Sequence, residues 1–324
     1  MSTRHSLLAA LVAVIWGVNF LAIDLGLRDS PPLVLLALRF ALVAVPLVFV
    51  VPRPDVPWRT LLALGGFMSV GQFALLFTAM HLGLPTGLAP IVLQSQMIFT
   101  IAIAAIVLRE RPSRVQLLGA AVGLAGLAVV GAGRVDGAGA AALVPLALCL
   151  AAALSWGIGN VVARSAPPSN GLGLVVWSAL VVPVPALAAS LVVDGPAAVG
   201  EAFTTLGWET AVSVAYTAGA ASLVGYSIWN ALLSRYPAAD VVPFTLLVPP
   251  VGMAAAWLVL GESPNALELA GSVLLVAGVA VPTLVDLRSR RARRRAAAVP
   301  GAVRPEPPEA QGAATRRSSA PAPG

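Results

Sequence analysis

The sequence predicts an all-α membrane protein: ten transmembrane helices arranged as two inverted five-helix repeats, followed by a disordered, basic C-terminal tail. Three observations predict it. Hydrophobic residues make up 58% of the chain and charged residues 10%, against about a quarter charged in a soluble domain; no water-soluble fold could hide that much apolar surface. Apolar stretches long enough to cross a hydrocarbon core, about 20 residues each, recur ten times. Finally, Pro85–Val129 aligns without a gap onto Pro237–Val281 at a constant offset of 152 residues, and a duplicated apolar half is a common way to build a membrane transporter.

The spans follow in order. The first, 6–26, carries Trp16 and Asn19 on one helical face; no small-x-small cleavage site follows Ile23, so it reads as a helix and not as a signal peptide. The second, 32–51, contains Arg39, and the third, 59–80, contains Gln72. Span four, 84–108, holds Pro90, Gln94 and Gln96; span five, 115–133, holds a GxxxG at Gly119 and Gly123. Close packing explains those glycines, with a homodimer face left open. The sixth, 141–163, echoes the first, its Trp156-Gly157-Ile158-Gly159-Asn160 resembling Trp16-Gly17-Val18-Asn19. It also contains Cys149, the only cysteine, which reads as a small packing residue. Span seven is 172–193, and span eight, 211–234, carries Tyr226, Trp229 and Asn230. The ninth, 239–260, contains Pro243, Pro249 and Pro250; the tenth, 266–285, opens with Gly271. The first repeat is thus 6–133, the second 141–285, and the tail 286–324.

Charge placement gives orientation. Residues 1–285 hold eleven arginines and eleven carboxylates, so the net charge of +6 arises in the tail, which holds nine arginines and three carboxylates. Arg288, Arg290, Arg291, Arg293, Arg294 and Arg295 follow the last apolar segment directly. That position argues against a nucleic-acid partner and for a cytoplasmic tail facing anionic lipid. With the N-terminus inside, the cytoplasmic segments also hold Arg4, Arg53, Arg59, Arg109, Arg111, Arg114, Arg164 and Arg235, and the outer loops only Arg28 and Arg134. Both termini are expected in the cytoplasm. Five spans per half is an odd number, so the second copy enters from the opposite side, and two inverted halves can pack open to either side in turn. Residues 296–324, rich in Ala, Pro and Arg, lack apolar periodicity and are expected to be disordered.

Several motifs resemble the EamA family of the drug/metabolite transporter superfamily: Trp16-Gly17-x-Asn19-Phe20, Pro31-Pro32, Leu38-Arg39-Phe40, and the turns at Glu110 and Glu262. Longer stretches are similar to its branch that exports O-acetylserine and cysteine. These are Trp177–Leu180, Ala189–Leu191 with Asp194-Gly195, Val224-Gly225-Tyr226-x-Ile228-Trp229, and Leu246–Pro249. The resemblance spans about residues 5–285. It implies a ten-helix protein of the bacterial inner membrane that exports small amino-acid-like metabolites, coupled to the proton gradient. Asp24 departs from the pattern, standing where many relatives have lysine.

Charges inside a bilayer are costly and mark function. Arg39, about seven residues into its span, reads either as a bidentate anchor for a ligand carboxylate or as a structural arginine paired with Asp24 at an outer gate. Asp24 itself could instead be a proton site or pair with Arg28 one turn away. Trp16, Asn19, Gln72, Gln94, Gln96, Trp156, Asn160, Tyr226, Trp229 and Asn230 together offer the amides and rings that a small zwitterion needs in a cavity. Singly, each serves as well as an interhelical hydrogen bond or aromatic filler. Pro90, Pro249 and Pro250 are candidate hinges or fixed kinks; Glu110 and Glu262 are expected to cap the helices that follow them.

An ATP-driven pump would need a GxxxxGK[ST] loop, which is absent. An intramembrane enzyme would need clustered His, Asp or Glu; His5 and His81 lie near span ends and no HExxH occurs. No cofactor or metal is expected. The expected partners are a small-molecule substrate, the lipid bilayer and a proton counter-ion. An efflux or uptake carrier for another small metabolite or drug is the alternative reading.

Overall fold

The computed structural model describes residues 1–166 and 171–297. Every regular element among them is helical, and nine segments are long and apolar enough to cross a membrane. With one shorter helix they are α1 Thr3–Leu27, α2 Pro32–Leu47, α3 Trp58–His81, α4 Ala89–Val107, α5 Arg114–Ala138, α6 Ala140–Ser165, α7 Gly171–Val193, α8 Trp208–Arg235, α9 Val242–Leu260 and α10 Ala266–Ala297. Residues Met1–Val285 form one compact unit. The predicted tail beyond residue 297 lies outside the described residues.

The exception among the predicted spans is α2. Its 16 residues rise about 24 Å, short of a hydrocarbon core of about 30 Å. Pro46 lies inside the helix and lacks a ladder N–H; the expected segment 48–51 is a turn closed by Val51 N–H to Leu47 O at 2.7 Å. A further short helix, Gly195–Thr204, follows α7 and lies outside the expected spans.

Packing reverses the pattern of a soluble protein. Large apolar side chains face outward, among them Ile106 at 78%, Val184 at 75% and Leu258 at 73% exposure. Polar side chains such as Asn19, Gln72, Gln94 and Gln96 are buried. The largest apolar core gathers Phe20, Ile23, Leu36, Phe77 and Val92 from α1 to α4, with Cys149 of α6 buried in it.

Contacts between the two copies fall on aligned residues. A Cβ at Gly119 of α5 would overlap the Gly278 carbonyl oxygen of α10, and one at Gly278 would overlap the Gly119 carbonyl. Gly126 and Gly271 stand in the same mutual relation. Since 119 aligns with 271 and 126 with 278, one contact is the image of the other. Gly17 of α1 meets Val251 and Gly252 of α9, and Gly157 of α6 meets Phe99 and Thr100 of α4; these pairs too are aligned residues. The glycine stripe of α5 is therefore occupied within the chain rather than offered to a second copy.

Irregularities recur in both halves as well. A π-helical stretch interrupts α3 at Gly65–Gly71 and α8 at Ala215–Val224. Helix α4 breaks at Gln94–Ser95, between Ala89–Leu93 and Gln96–Val107. Helix α9 changes from a 3-10 helix, Val242–Leu247, to an α-helix at Val248. Pro90, Pro249 and Pro250 lie in the first turns of α-helical segments, where a missing N–H costs nothing. They mark where helical type changes within the spans; Pro46 and Pro282 lie inside α-helical segments.

Candidate functional site

Three polar clusters line the contacts between the halves. The first surrounds the π-helical stretch of α8. The Trp16 indole N–H donates to Ala221 O at 3.0 Å, and its ring packs against Tyr226 and Trp229 at centroid distances of 5.3 and 5.2 Å. Ser222 donates its hydroxyl to Thr217 O at 2.8 Å, five residues back, and accepts from Arg39 Nη2 at 3.4 Å. The Arg39 guanidinium lies 4.4 Å from the Phe73 ring centroid and 5.4 Å from that of Phe40. A π-turn leaves carbonyls out of register, and such turns concentrate at functional sites; here Trp16 occupies one.

The second cluster joins α6 to α4. Asn160 donates through Nδ2 to Gln96 Oε1 at 2.7 Å and to Thr100 Oγ1 at 3.2 Å, and Thr100 donates back to Gln96 O at 2.7 Å. Gly157, one turn earlier, permits this approach because a Cβ there would lie 2.9 Å from that of Phe99.

The third cluster joins the residues leading into α4 to the α9–α10 turn. Glu262 accepts the Thr86 N–H on Oε1 at 2.9 Å and the Gly87 N–H on Oε2 at 2.8 Å. The Thr86 hydroxyl donates to Asp24 Oδ1 at 3.2 Å, and Asp24 Oδ2 pairs with Arg28 at 2.8 Å. Beside it Arg134 pairs with Glu268 at 3.3 Å and donates to Gly83 O. A cleft between them is lined by Pro85, Leu88, Arg134, Met253, Glu262 and Glu268.

Several expectations change. Asp24 takes Arg28 as its partner, and Arg39 bonds Ser222, so the proposed Asp24–Arg39 gate pair does not form. Glu262 does not cap the helix that follows it; α10 starts with Asn265 and Glu268 exchanging backbone and side-chain hydrogen bonds. Likewise Ser113 and Gln116 form the capping box of α5, and Glu110 pairs with Arg164. These two boxes occupy aligned positions. Trp156 packs on the large apolar core, apart from the aromatic trio. Gln72 and Gln94 are buried at the α3 and α4 irregularities. Asn19 Oδ1 and Asn230 Nδ2 are buried without a partner among the described residues. Ser222, Phe73, Thr86 and Thr100 were missed. Only the Gly- and Ser-rich runs beside the first two carried any signal.

Comparison with known proteins agrees with this geometry. Residues 4–132 and 143–284 match the family described as the EamA-like transporter family. A Salmonella typhimurium protein named "probable amino-acid metabolite efflux pump" is 43% identical over 298 residues, 91% of this chain and 99% of that protein. An Escherichia coli protein of the same name is 42% identical over 297 residues, 90% and 98% of the two chains. A Streptantibioticus cattleyicolor protein named "probable terminal-alkyne amino-acid exporter" is 29% identical over 90% of this chain and 96% of its own length. A solved crystal structure aligns with a TM-score of 0.57 at 21% identity, over 89% of this chain and 98% of that one. It shares the fold.

Proposed function

The chain belongs to the EamA-like transporter family, and from that premise we propose that it exports small amino-acid metabolites, of the O-acetylserine and cysteine type, by proton-coupled alternating access. It is a transporter and not an enzyme. In this reading α2 is the tenth spanning helix, its shortness accommodated by locally thinned lipid. The two copies form an inverted repeat in the bacterial inner membrane, with both termini in the cytoplasm.

The observation that carries the reading is the exchange of aligned contacts. A pair such as Gly119–Gly278 with its image Gly271–Gly126 is what a two-fold axis between the copies requires. Placement of Glu262 supports the inversion. It follows the C-terminal end of α9 yet binds the residues leading into α4, whereas its aligned counterpart Glu110 follows the far end of α4. Two equivalent halves in opposite orientation have two packings of similar energy, one open to each side. The substrate class draws on the printed names of the relatives and on a buried cation and an aromatic trio anchored to the neighbouring residues Ser222 and Ala221.

The test is growth of cells overexpressing the protein in excess cysteine, O-acetylserine and unrelated amino acids, followed by uptake into inverted membrane vesicles with an imposed proton gradient. Selective resistance and gradient-dependent uptake are the expected results. Protection against none of them retires these substrates, and gradient-independent uptake retires proton coupling.

A further inference from the structure

We infer that Arg39 binds the carboxylate of the transported solute, and that the Trp16–Tyr226–Trp229 trio forms the wall beside it that receives the ammonium end. The inference deepens the exporter reading and rests on it.

Arg39 is 4% exposed. Its hydrogen bond to Ser222 Oγ is long at 3.4 Å, and its Nε and Nη1 are buried with no partner among the described residues. Asp24, the counter-ion expected from the sequence, is held by Arg28 and Thr86, and Asp29, nearer along the chain, accepts from Thr210. A guanidinium stays charged at any cellular pH, and leaving such a charge buried and uncompensated is strongly destabilising. The Phe73 and Phe40 rings offer cation–π attraction that is weaker than a paired carboxylate's, which does not close the deficit. An arginine kept only for architecture would be given acceptors for its five donors. This one faces rings and a single hydroxyl whose own proton is committed to Thr217 O.

The surroundings specify the ligand. A planar fork of unfilled N–H groups matches a carboxylate bidentately. Trp16 bonds Ala221 O and Arg39 bonds Ser222, so the aromatic trio and the guanidinium meet on consecutive residues of one π-turn. Aromatic faces attract an ammonium group. The two ends of an α-amino acid therefore find complementary surfaces one residue apart. Phe73 lies over the guanidinium, so the carboxylate reaches it by displacing that ring, and binding repacks α3 against α2 and α8.

The test uses the purified full-length protein in lipid nanodiscs, with tryptophan fluorescence and thermal stabilisation as readouts. Probes are O-acetylserine and cysteine, their carboxyl-blocked methyl esters and amides, and propionate against propionamide. The wild type should bind the free acids at least tenfold more tightly than the blocked forms. Arg39→Gln should abolish that preference, Arg39→Lys should retain part of it, and Phe73→Ala should raise acid affinity several-fold while leaving amide affinity unchanged. A folded Arg39→Gln with the wild-type acid-to-amide ratio overturns the inference. Should Arg39→Gln fail to fold, an unchanged ratio in both Arg39→Lys and Phe73→Ala overturns it. If the wild type ignores every amino acid, the exporter reading fails separately. Propionate stabilisation lost in Arg39→Gln then still upholds the anion site, and its absence in the wild type removes it.

Discussion

Asn160 and Gln96 form the tightest polar contact between α6 and α4, at 2.7 Å, with Thr100 completing the triangle. Interhelical hydrogen bonds in membranes are worth about 0.6 kcal/mol on average and up to about 1.7, while an unpaired buried donor costs about 1–3 kcal/mol. Gln96→Leu leaves the Asn160 amide only its longer bond to Thr100 Oγ1 and should destabilise the protein by about 1 kcal/mol. Adding Asn160→Leu removes the half-satisfied donor and should recover part of that loss. Unfolding of the single and double variants in mild detergent measures the coupling; strict additivity would mean the contact carries no energy. Trp16→Phe makes a smaller, cleaner change. It keeps a ring against Tyr226 and Trp229 but deletes the donor to Ala221 O, for an expected cost of about 1 kcal/mol and weaker substrate quenching of the remaining tryptophans.

Between elements, the crossing of α5 and α10 sets the closest backbone approach. Alanine at Gly126 or Gly271 would place a methyl 2.6–2.7 Å from a facing carbonyl oxygen or amide nitrogen, and rigid backbone cannot yield as a side chain would. Each substitution should cost about 1–3 kcal/mol by overpacking. Gly66→Ala, where nothing lies within 4 Å, should be neutral or slightly stabilising through helix propensity. Equal melting of all three variants would show that the crossing is loose. Gly119 and Gly123 were legible in the sequence through their GxxxG spacing, and Gly271 through the 152-residue offset that aligns it with Gly119. The spans were legible for the same kind of reason, apolar length. Other features depended on partners far along the chain. Glu262 looked like a local cap since Pro264 and α10 follow it, but its partners Thr86 and Gly87 are some 175 residues away. The π-turns were illegible because runs such as Gly65–Gly71 permit several helical types, and contacts to Ser155 or Trp16 select among them. Arg39 was visible as an intramembrane charge. Its lack of a carboxylate partner was not.

Across the whole molecule, the Glu262 carboxylate joins the α9–α10 turn to the residues leading into α4, and in the proposed alternating-access cycle this contact is the clasp of one end. Each of its oxygens accepts one amide. A glutamine can keep one of these bonds but turns an N–H toward the other amide, donor against donor. A hydrogen bond to a charged acceptor is worth about 1.5–3 kcal/mol, so Glu262→Gln should shift the open–closed balance at that end by about tenfold or more. Leu88 lines the cleft there and is 4% exposed. With Cys149 replaced by alanine, Leu88→Cys should react slowly with a membrane-impermeant maleimide applied to intact cells, and about tenfold faster when Glu262→Gln is added. Under alternating access the opposite end closes as this one opens. Leu108→Cys, beside Glu110, should therefore lose reactivity in the same variant when assayed in inverted vesicles. Arg109→Cys should be labelled only after the inner membrane is permeabilised. A rise at Leu88 with no fall at Leu108 would reduce Glu262 to a local clasp. Labelling of Arg109→Cys from outside would place both glutamate turns on one side of the bilayer, and two halves so arranged could not exchange roles.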